Sequence, residues 1–198
     1  ANGVARAAIR SCSLGCRTYR ASGTMTSMVD IGIATALDRA HHTRHPVVFG
    51  HRGCAAVALE NTLPAFSRAR TDRVPAVELD IQLSVDNQIV VFHDRDLQRL
   101  GGSSVQIATI SSTELASIDL SDDRRGFAAR GIPLLSDVIE TVGPAMYIDI
   151  EIKSYAKDPS PIAEALASCI QHHDIADRII VSSFDPRRVR RFHQVASR

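Results

Sequence analysis

Tryptophan is absent from the 198 residues, and aromatic residues of all kinds make up only 5%. With so few rings and no basic stripe, the chain offers no platform for nucleic acid, and a nucleic-acid module is not expected. Neither sign of charge dominates, since Lys plus Arg is 23 and Asp plus Glu is 22. No global field steers the chain toward a polyanion or an anionic surface, so any phosphate site has to be local. No apolar run approaches the roughly 18 residues that a membrane-spanning helix needs. Cysteine is sparse, and Cys12, Cys16, Cys54 and Cys169 show neither metal-type pairing nor a dense disulfide framework. That usage fits a reduced compartment.

Acidic residues are missing before Asp30, where Arg6, Arg10, Arg17 and Arg20 stand among Ser, Thr, Ala and Gly. Residues 1–45 therefore read as an N-terminal extension, either a disordered tail or a targeting-like segment. A cytoplasmic location is expected, with a mitochondrial one as the alternative that this acid-poor start offers. Ser27 to Ala40 has helical spacing of Ile31, Ala34 and Leu37. His41, His42 and His45 are irregularly spaced in a polar linker and read as solvated residues, not as a metal site.

From Pro46 the texture changes. Strands are predicted to begin at Val47, Val77, Ile89, Met146 and Arg178, with helices at 62–70, from Ser111 or Ser112, and at 134–142, 160–172 and 186–195. This alternation predicts an α/β fold with parallel strands.

The polar residues at the strand ends carry the chemistry. Val47-Val48-Phe49 runs into Gly50-His51-Arg52-Gly53, placing a proton-transfer group beside a phosphate-binding fork. Glu78 and Asp80 are two apart on one strand and point to one face, with Leu79 and Ile81 on the other. A strand covered on both faces tolerates two carboxylates poorly unless a cation lies between them, and hard divalent ions favour oxygen ligands. Glu151 and Lys153 repeat the spacing on a later strand, with Asp149 on the same face, and His93 ends the strand that begins at Ile89. Two histidines at two strand ends supply an acid–base pair. A solvated acidic face and a same-face Glu151–Lys153 ion pair are the plainer readings of these residues.

Taken together, His51-Arg52-Gly53, Glu60-Asn61-Thr62, Glu78-Leu79-Asp80, His93-Asp94, Glu151-Ile152-Lys153 and Ser182-Ser183-Phe184 resemble the glycerophosphodiester phosphodiesterases. These belong to the phospholipase-C-like barrel superfamily, and the resemblance covers about Pro46 to Pro186. It implies a TIM-type (β/α) barrel and metal-dependent phosphodiester cleavage, with glycerol 3-phosphate and an alcohol as products. Glu78, Asp80 and Glu151 would hold Ca2+ or Mg2+, and His51 and His93 would act as general base and general acid. Arg52 and Lys153 would contact the phosphate, supported by Glu60 and Asn61. Water or a neighbouring glycerol hydroxyl, through a cyclic phosphate, could be the nucleophile.

Four features depart from the family pattern. Cys54 follows the His-Arg-Gly turn where small residues are usual and reads as an apolar filler, and the tryptophan common in the last strands is missing. Leu59 stands where proline is common, which should alter only a loop. The region from 46 to 198 carries about five βα units, whereas a full barrel has eight and about 250 residues. The expectation is therefore a C-terminally incomplete domain over 46–198 that self-associates through open barrel edges. The partner expected besides a second copy is a small-molecule glycerophosphodiester. The alternatives are an inactive remnant that binds phosphate compounds or a partner chain, and a phospholipase of the same superfamily.

Overall fold

A computed structural model describes residues 47–197 in full, together with the backbone of Ala8–Ser11 and Cys16–Arg20. Those two N-terminal segments are strands β1 and β2, and the chain continues through β3 (Val47–His51), helix α1 (Leu63–Thr71), β4 (Ala76–Leu83) and β5 (Ile89–Val91). Short helices α2 (Gln98–Gly101) and α3 (Ser112–Leu115) lead into a hairpin of β6 (Asp119–Asp122) and β7 (Phe127–Arg130). Helix α4 (Leu135–Val142), β8 (Tyr147–Ile152), α5 (Ser160–His173), β9 (Ile179–Ser182) and α6 (Pro186–Ala196) complete it. The expected helix at Ser27 to Ala40 and the histidines at 41, 42 and 45 lie outside the described residues.

The sheet runs β1-β2-β3-β4-β8-β9, with β5 on β4. The β3–β4, β4–β8 and β8–β9 pairs are parallel, whereas β1–β2 and β2–β3 are antiparallel. One expectation needs correction. β5 is not parallel: it folds back on β4 with Ile81 opposite Val91 and Leu83 opposite Ile89. The loop between them is too short for a parallel crossover, which needs a dozen residues or more. Asn87, at φ 59°, takes the left-handed turn. The β6–β7 hairpin was not expected either. Its strands are short, and Leu120 is their one fully buried hydrophobic side chain.

Alternation along the central strands sorts their side chains. Val77, Leu79 and Ile81 of β4 join Ile148, Ile150 and Ile152 of β8. They pack with Phe66 and Ala69 of α1, Val138 and Val142 of α4, and Leu166 of α5. The opposite face of the same strands carries Glu78, Asp80, Gln82, Asp149 and Glu151, all buried. A second apolar cluster, including Phe92, Leu100, Ile107, Leu115 and Leu59, supports the β5 side. Leu59 is 3% exposed there, so it packs as core and does more than shape a loop. Apolar burial of this kind, at about 25 cal/mol per Å2, is what holds the polar face in place.

Helix ends follow their sequence signals in most cases. Ser111 forms a capping box with Glu114 at α3, and Gly143 ends α4 at φ 69°. Thr62 differs: it stands at the N-cap of α1, but its hydroxyl donates to the Leu59 carbonyl at 2.6 Å and leaves the helix amides uncapped.

Candidate active site

Register brings the acidic residues together. In the parallel ladders His51 lies opposite Glu78, Glu78 opposite Asp149, and Asp80 opposite Glu151. Laterally paired residues share a face about 4.8 Å apart, so strand order alone makes a cluster of carboxylates. Ligand oxygens of Glu78, Asp80 and Glu151 all fall within 4.8 Å of one another. Among the described residues it is the one group of three or more acidic, histidine or cysteine side chains so disposed.

The turn after β3 wraps onto this cluster. Arg52 adopts φ 53° and Asn61 φ 55°, a region that costs a non-glycine residue about 1–2 kcal/mol. Local bonds hold both. The Arg52 amide donates to Glu78 Oε2 at 3.0 Å, and the Asn61 amide donates to the Arg52 carbonyl at 3.0 Å. Gly53 is at φ 78°, and a Cβ there would lie 2.8 Å from the Ala65 carbonyl carbon. Only glycine lets α1 pack this close.

Each carboxylate is engaged. His51 Nε2 stands 3.6 Å from Glu78 Oε2. Asp80 meets Arg52 Nε at 3.1 Å and Lys153 Nζ at 2.7 Å, and it accepts from the Asn61 side-chain Nδ2 at 2.8 Å. Lys153 Nζ also reaches Glu151 Oε1 at 2.6 Å. Burial pushes the Asp80 carboxyl upward, but the Arg52 and Lys153 charges outweigh it and hold the group below the ordinary range. Burial likewise pulls the Lys153 ammonium down, and Asp80 and Glu151 more than reverse it. Asp149 accepts from the Ser182 hydroxyl at 2.7 Å, which joins β9 to the same face.

His93 is held separately. Its Nδ1 is 2.5 Å from Asp94 Oδ1, and its carbonyl accepts the Tyr155 hydroxyl at 2.7 Å. Gln82 donates to the carbonyls of Phe92 and Asp94 at 2.9 and 2.8 Å, bracketing His93. The loop bearing Tyr155 is pinned by buried Arg188, which donates to the carbonyls of Ala156 and Asp158. Glu60 binds both Arg52 and Arg99 at 2.6 Å. Burial raises the Glu60 carboxyl, yet the two guanidinium partners leave it lowered overall.

The structure thus joins Glu78, Asp80, Glu151, Arg52, Lys153, Asn61, Glu60 and His51 by direct contacts. His93 connects to them through Asp94 and Arg99. Sequence reasoning had not singled out Gln82, Tyr155 or Arg99. Gln82 had a signal, because it continues the Glu78, Asp80 alternation on β4.

The parallel strands of this α/β sheet carry a buried cluster of acidic side chains with basic ones against it, on a fold of the TIM-barrel type. Residues 51–198 match the Glycerophosphoryl diester phosphodiesterase family, and the chain belongs to that family. A glycerophosphodiester phosphodiesterase of Caldanaerobacter subterraneus subsp. tengcongensis is 33% identical over 141 residues, 70% of this chain and 58% of that protein. A lysophospholipase D of Homo sapiens is 39% identical over 111 residues, 52% of this chain and 35% of that protein. The solved structure of an Oleispira antarctica phosphodiesterase, in complex with the product sn-glycerol-3-phosphate, superposes with a TM-score of 0.67 at 26% identity. That match covers 74% of this chain and 61% of the other. The chain therefore spans about 60% of the length of the first two phosphodiesterases named here. Among the described residues no helix is long and apolar enough to cross a membrane.

Proposed function

We propose that the chain is a metal-dependent hydrolase of glycerophosphodiesters, releasing glycerol 3-phosphate and an alcohol. The observation that carries this is the buried trio of Glu78, Asp80 and Glu151 with Arg52 and Lys153 set against it. The donor set fits a hard divalent ion, Ca2+ or Mg2+, because all three ligands are carboxylate oxygens. The charge fits as well. Within the group of Glu78, Asp80, Glu151, Arg52 and Lys153, with Asp149 and the Glu60–Arg99 pair left aside, one negative charge remains. A divalent ion turns that into one positive charge, and a phosphodiester monoanion balances it.

An ion held by Glu78, Asp80 and Glu151 would supply Lewis-acid stabilisation of the negative charge that builds on the phosphoryl group. The chain's own residues do the rest. Arg52 and Lys153 bind the phosphoryl oxygens, and Asn61 and Glu60 keep Asp80 and Arg52 in place. One of His51 and His93 takes the proton from the attacking water, or from a neighbouring glycerol hydroxyl whose attack leaves a cyclic phosphate for water to open. The other gives a proton to the alkoxide as its bond to phosphorus breaks. Residues 46–198 form the catalytic unit in this reading, residues 1–45 are an extension, and copies of the chain associate through open sheet edges.

The second reading is a silent protein that binds phosphate compounds. Its support is Lys153, whose ammonium already bridges Asp80 and Glu151 where an ion would compete. Release of glycerol 3-phosphate from glycerophosphocholine, with and without EDTA, on wild type and His51→Ala decides between them. Hydrolysis should stop in EDTA and fall about 10²- to 10⁴-fold in His51→Ala, the usual worth of a positioned acid–base group. Activity that survives both treatments contradicts the mechanism, and no release from wild type favours the silent reading. The same assay with a lysophospholipid tests whether this chain shares the activity named for the human relative.

A further inference from the structure

The side chain of Arg99 binds the carboxylates beside both halves of the site. Its Nε donates to Asp94 Oδ2 at 2.6 Å. Its Nη2 and Nη1 donate to Glu60 Oε1 and Oε2 at 2.6 and 3.1 Å, a forked pair across 39 residues of sequence. Beyond Asp94 lies His93 Nδ1 at 2.5 Å, and beyond Glu60 lies Arg52 Nη1 at 2.6 Å. Arg52 in turn touches Asp80. We infer that Arg99 is a positioning residue that fixes the ring of His93 through Asp94 and the guanidinium of Arg52 through Glu60. The functional names of those two groups rest on the reading above, while the positioning itself rests on the contacts.

Chemistry gives this a definite consequence. An ionised carboxylate only accepts hydrogen bonds, so a carboxylate held against Nδ1 puts the hydrogen on that nitrogen. The lone pair of the neutral ring is then on Nε2, ready for proton transfer. The Asp94 carboxyl is kept ionised: burial raises it, but its bonds to His93 and Arg99 pull it far below the ordinary range. A plain stability role for Arg99 would be small, because its side chain is 43% exposed and exposed ion pairs contribute little. Lysine could supply the charge at this position but not the planar fork that spans two carboxylates.

The test uses Arg99→Ala and Arg99→Lys, with Arg130→Ala as control. Arg130 pairs with Asp119 on the exposed hairpin, where the two side chains are 70% and 81% accessible. Nitrogen-15 NMR of the histidine rings, with His93 assigned by His93→Gln, reads the tautomer without any need for turnover. In wild type and Arg130→Ala, neutral His93 should be a single Nδ1–H tautomer. In both Arg99 variants it should become a mixture. An unchanged His93 tautomer in Arg99→Ala overturns the inference, and restoration by lysine reduces Arg99 to a mere charge and overturns it too. On glycerophosphocholine, kcat should fall about 10- to 100-fold in both variants, the usual cost of losing a supporting partner behind a reacting group. A wild-type kcat in Arg99→Ala would also overturn it. Should wild type release no glycerol 3-phosphate, the functional reading fails, and the tautomer measurement still decides the role of Arg99.

Discussion

Replacing Lys153 with methionine keeps most of the packing of its stem and removes its charge. The ammonium lies 2.7 Å from Asp80 and 2.6 Å from Glu151, and the lysine, aspartate and glutamate side chains are 9%, 1% and 8% exposed. At an effective dielectric of about 20, one such pair is worth about 6 kcal/mol before solvation is counted. Desolvation offsets most of that, and removing one partner of a buried pair costs about 3–5 kcal/mol. Arg52 and Asn61 remain on Asp80, which favours the lower end, about 3 kcal/mol. For a chain of this size each kcal/mol moves the melting point by about 2–4 °C, so a fall of roughly 6–12 °C is expected in EDTA. Divalent ions should then act in the opposite sense. With the ammonium gone, Asp80 and Glu151 are open to an ion, and saturating Mg2+ or Ca2+ should raise Tm more in Lys153→Met than in wild type. Melting followed by circular dichroism, with EDTA and with each ion, reads both effects. A Lys153→Met protein that melts in EDTA like wild type would refute the claim that this ammonium offsets buried carboxylate charge.

Other outcomes follow from the same geometry. Gly53→Ala should lose about 2–4 kcal/mol in urea unfolding, combining a left-handed backbone with a Cβ pressed on α1. Unchanged stability would mean the turn can relax. Phe66→Ala, in the fully buried layer between α1 and the sheet, should cost about 3–5 kcal/mol. For Asp86, hydrogen bonds from Ser84 and Ser112 hold the carboxyl down at about 2. Its contribution is fully present above the ordinary carboxylate value of about 4 and is lost as pH falls toward the folded value. Urea stability should therefore drop between pH 4.5 and 2.5, and drop less in Asp86→Asn.

The acidic face was legible in the sequence because alternation is a rigid rule. A residue two places along a strand returns to the same side, and a carboxylate in an otherwise apolar strand is conspicuous. The helices were legible for similar reasons, through apolar spacing and end signals such as Ser111 and Gly143. The direction of β5 was less so. Its strand character was plain, but alternation of elements suggested a parallel neighbour, while the brief Ser84–Gln88 connection demands a hairpin. Arg99 could not be read at all. Its worth depends on Glu60, 39 positions away, and on Asp94, five positions back, a spacing that no helix or strand rule pairs. Tyr155 is similar: its hydroxyl meets His93 across 62 positions, and no local pattern announces that.

The central claim is a divalent ion gripped by Glu78, Asp80 and Glu151. Calorimetric titration of the metal-free protein with Mg2+ and with Ca2+ tests it most directly. One ion per chain should bind in wild type, and binding should vanish in the Glu78→Gln, Asp80→Asn, Glu151→Gln triple variant that remains folded. Equal binding by that variant, or no binding of either ion to wild type, would contradict the account.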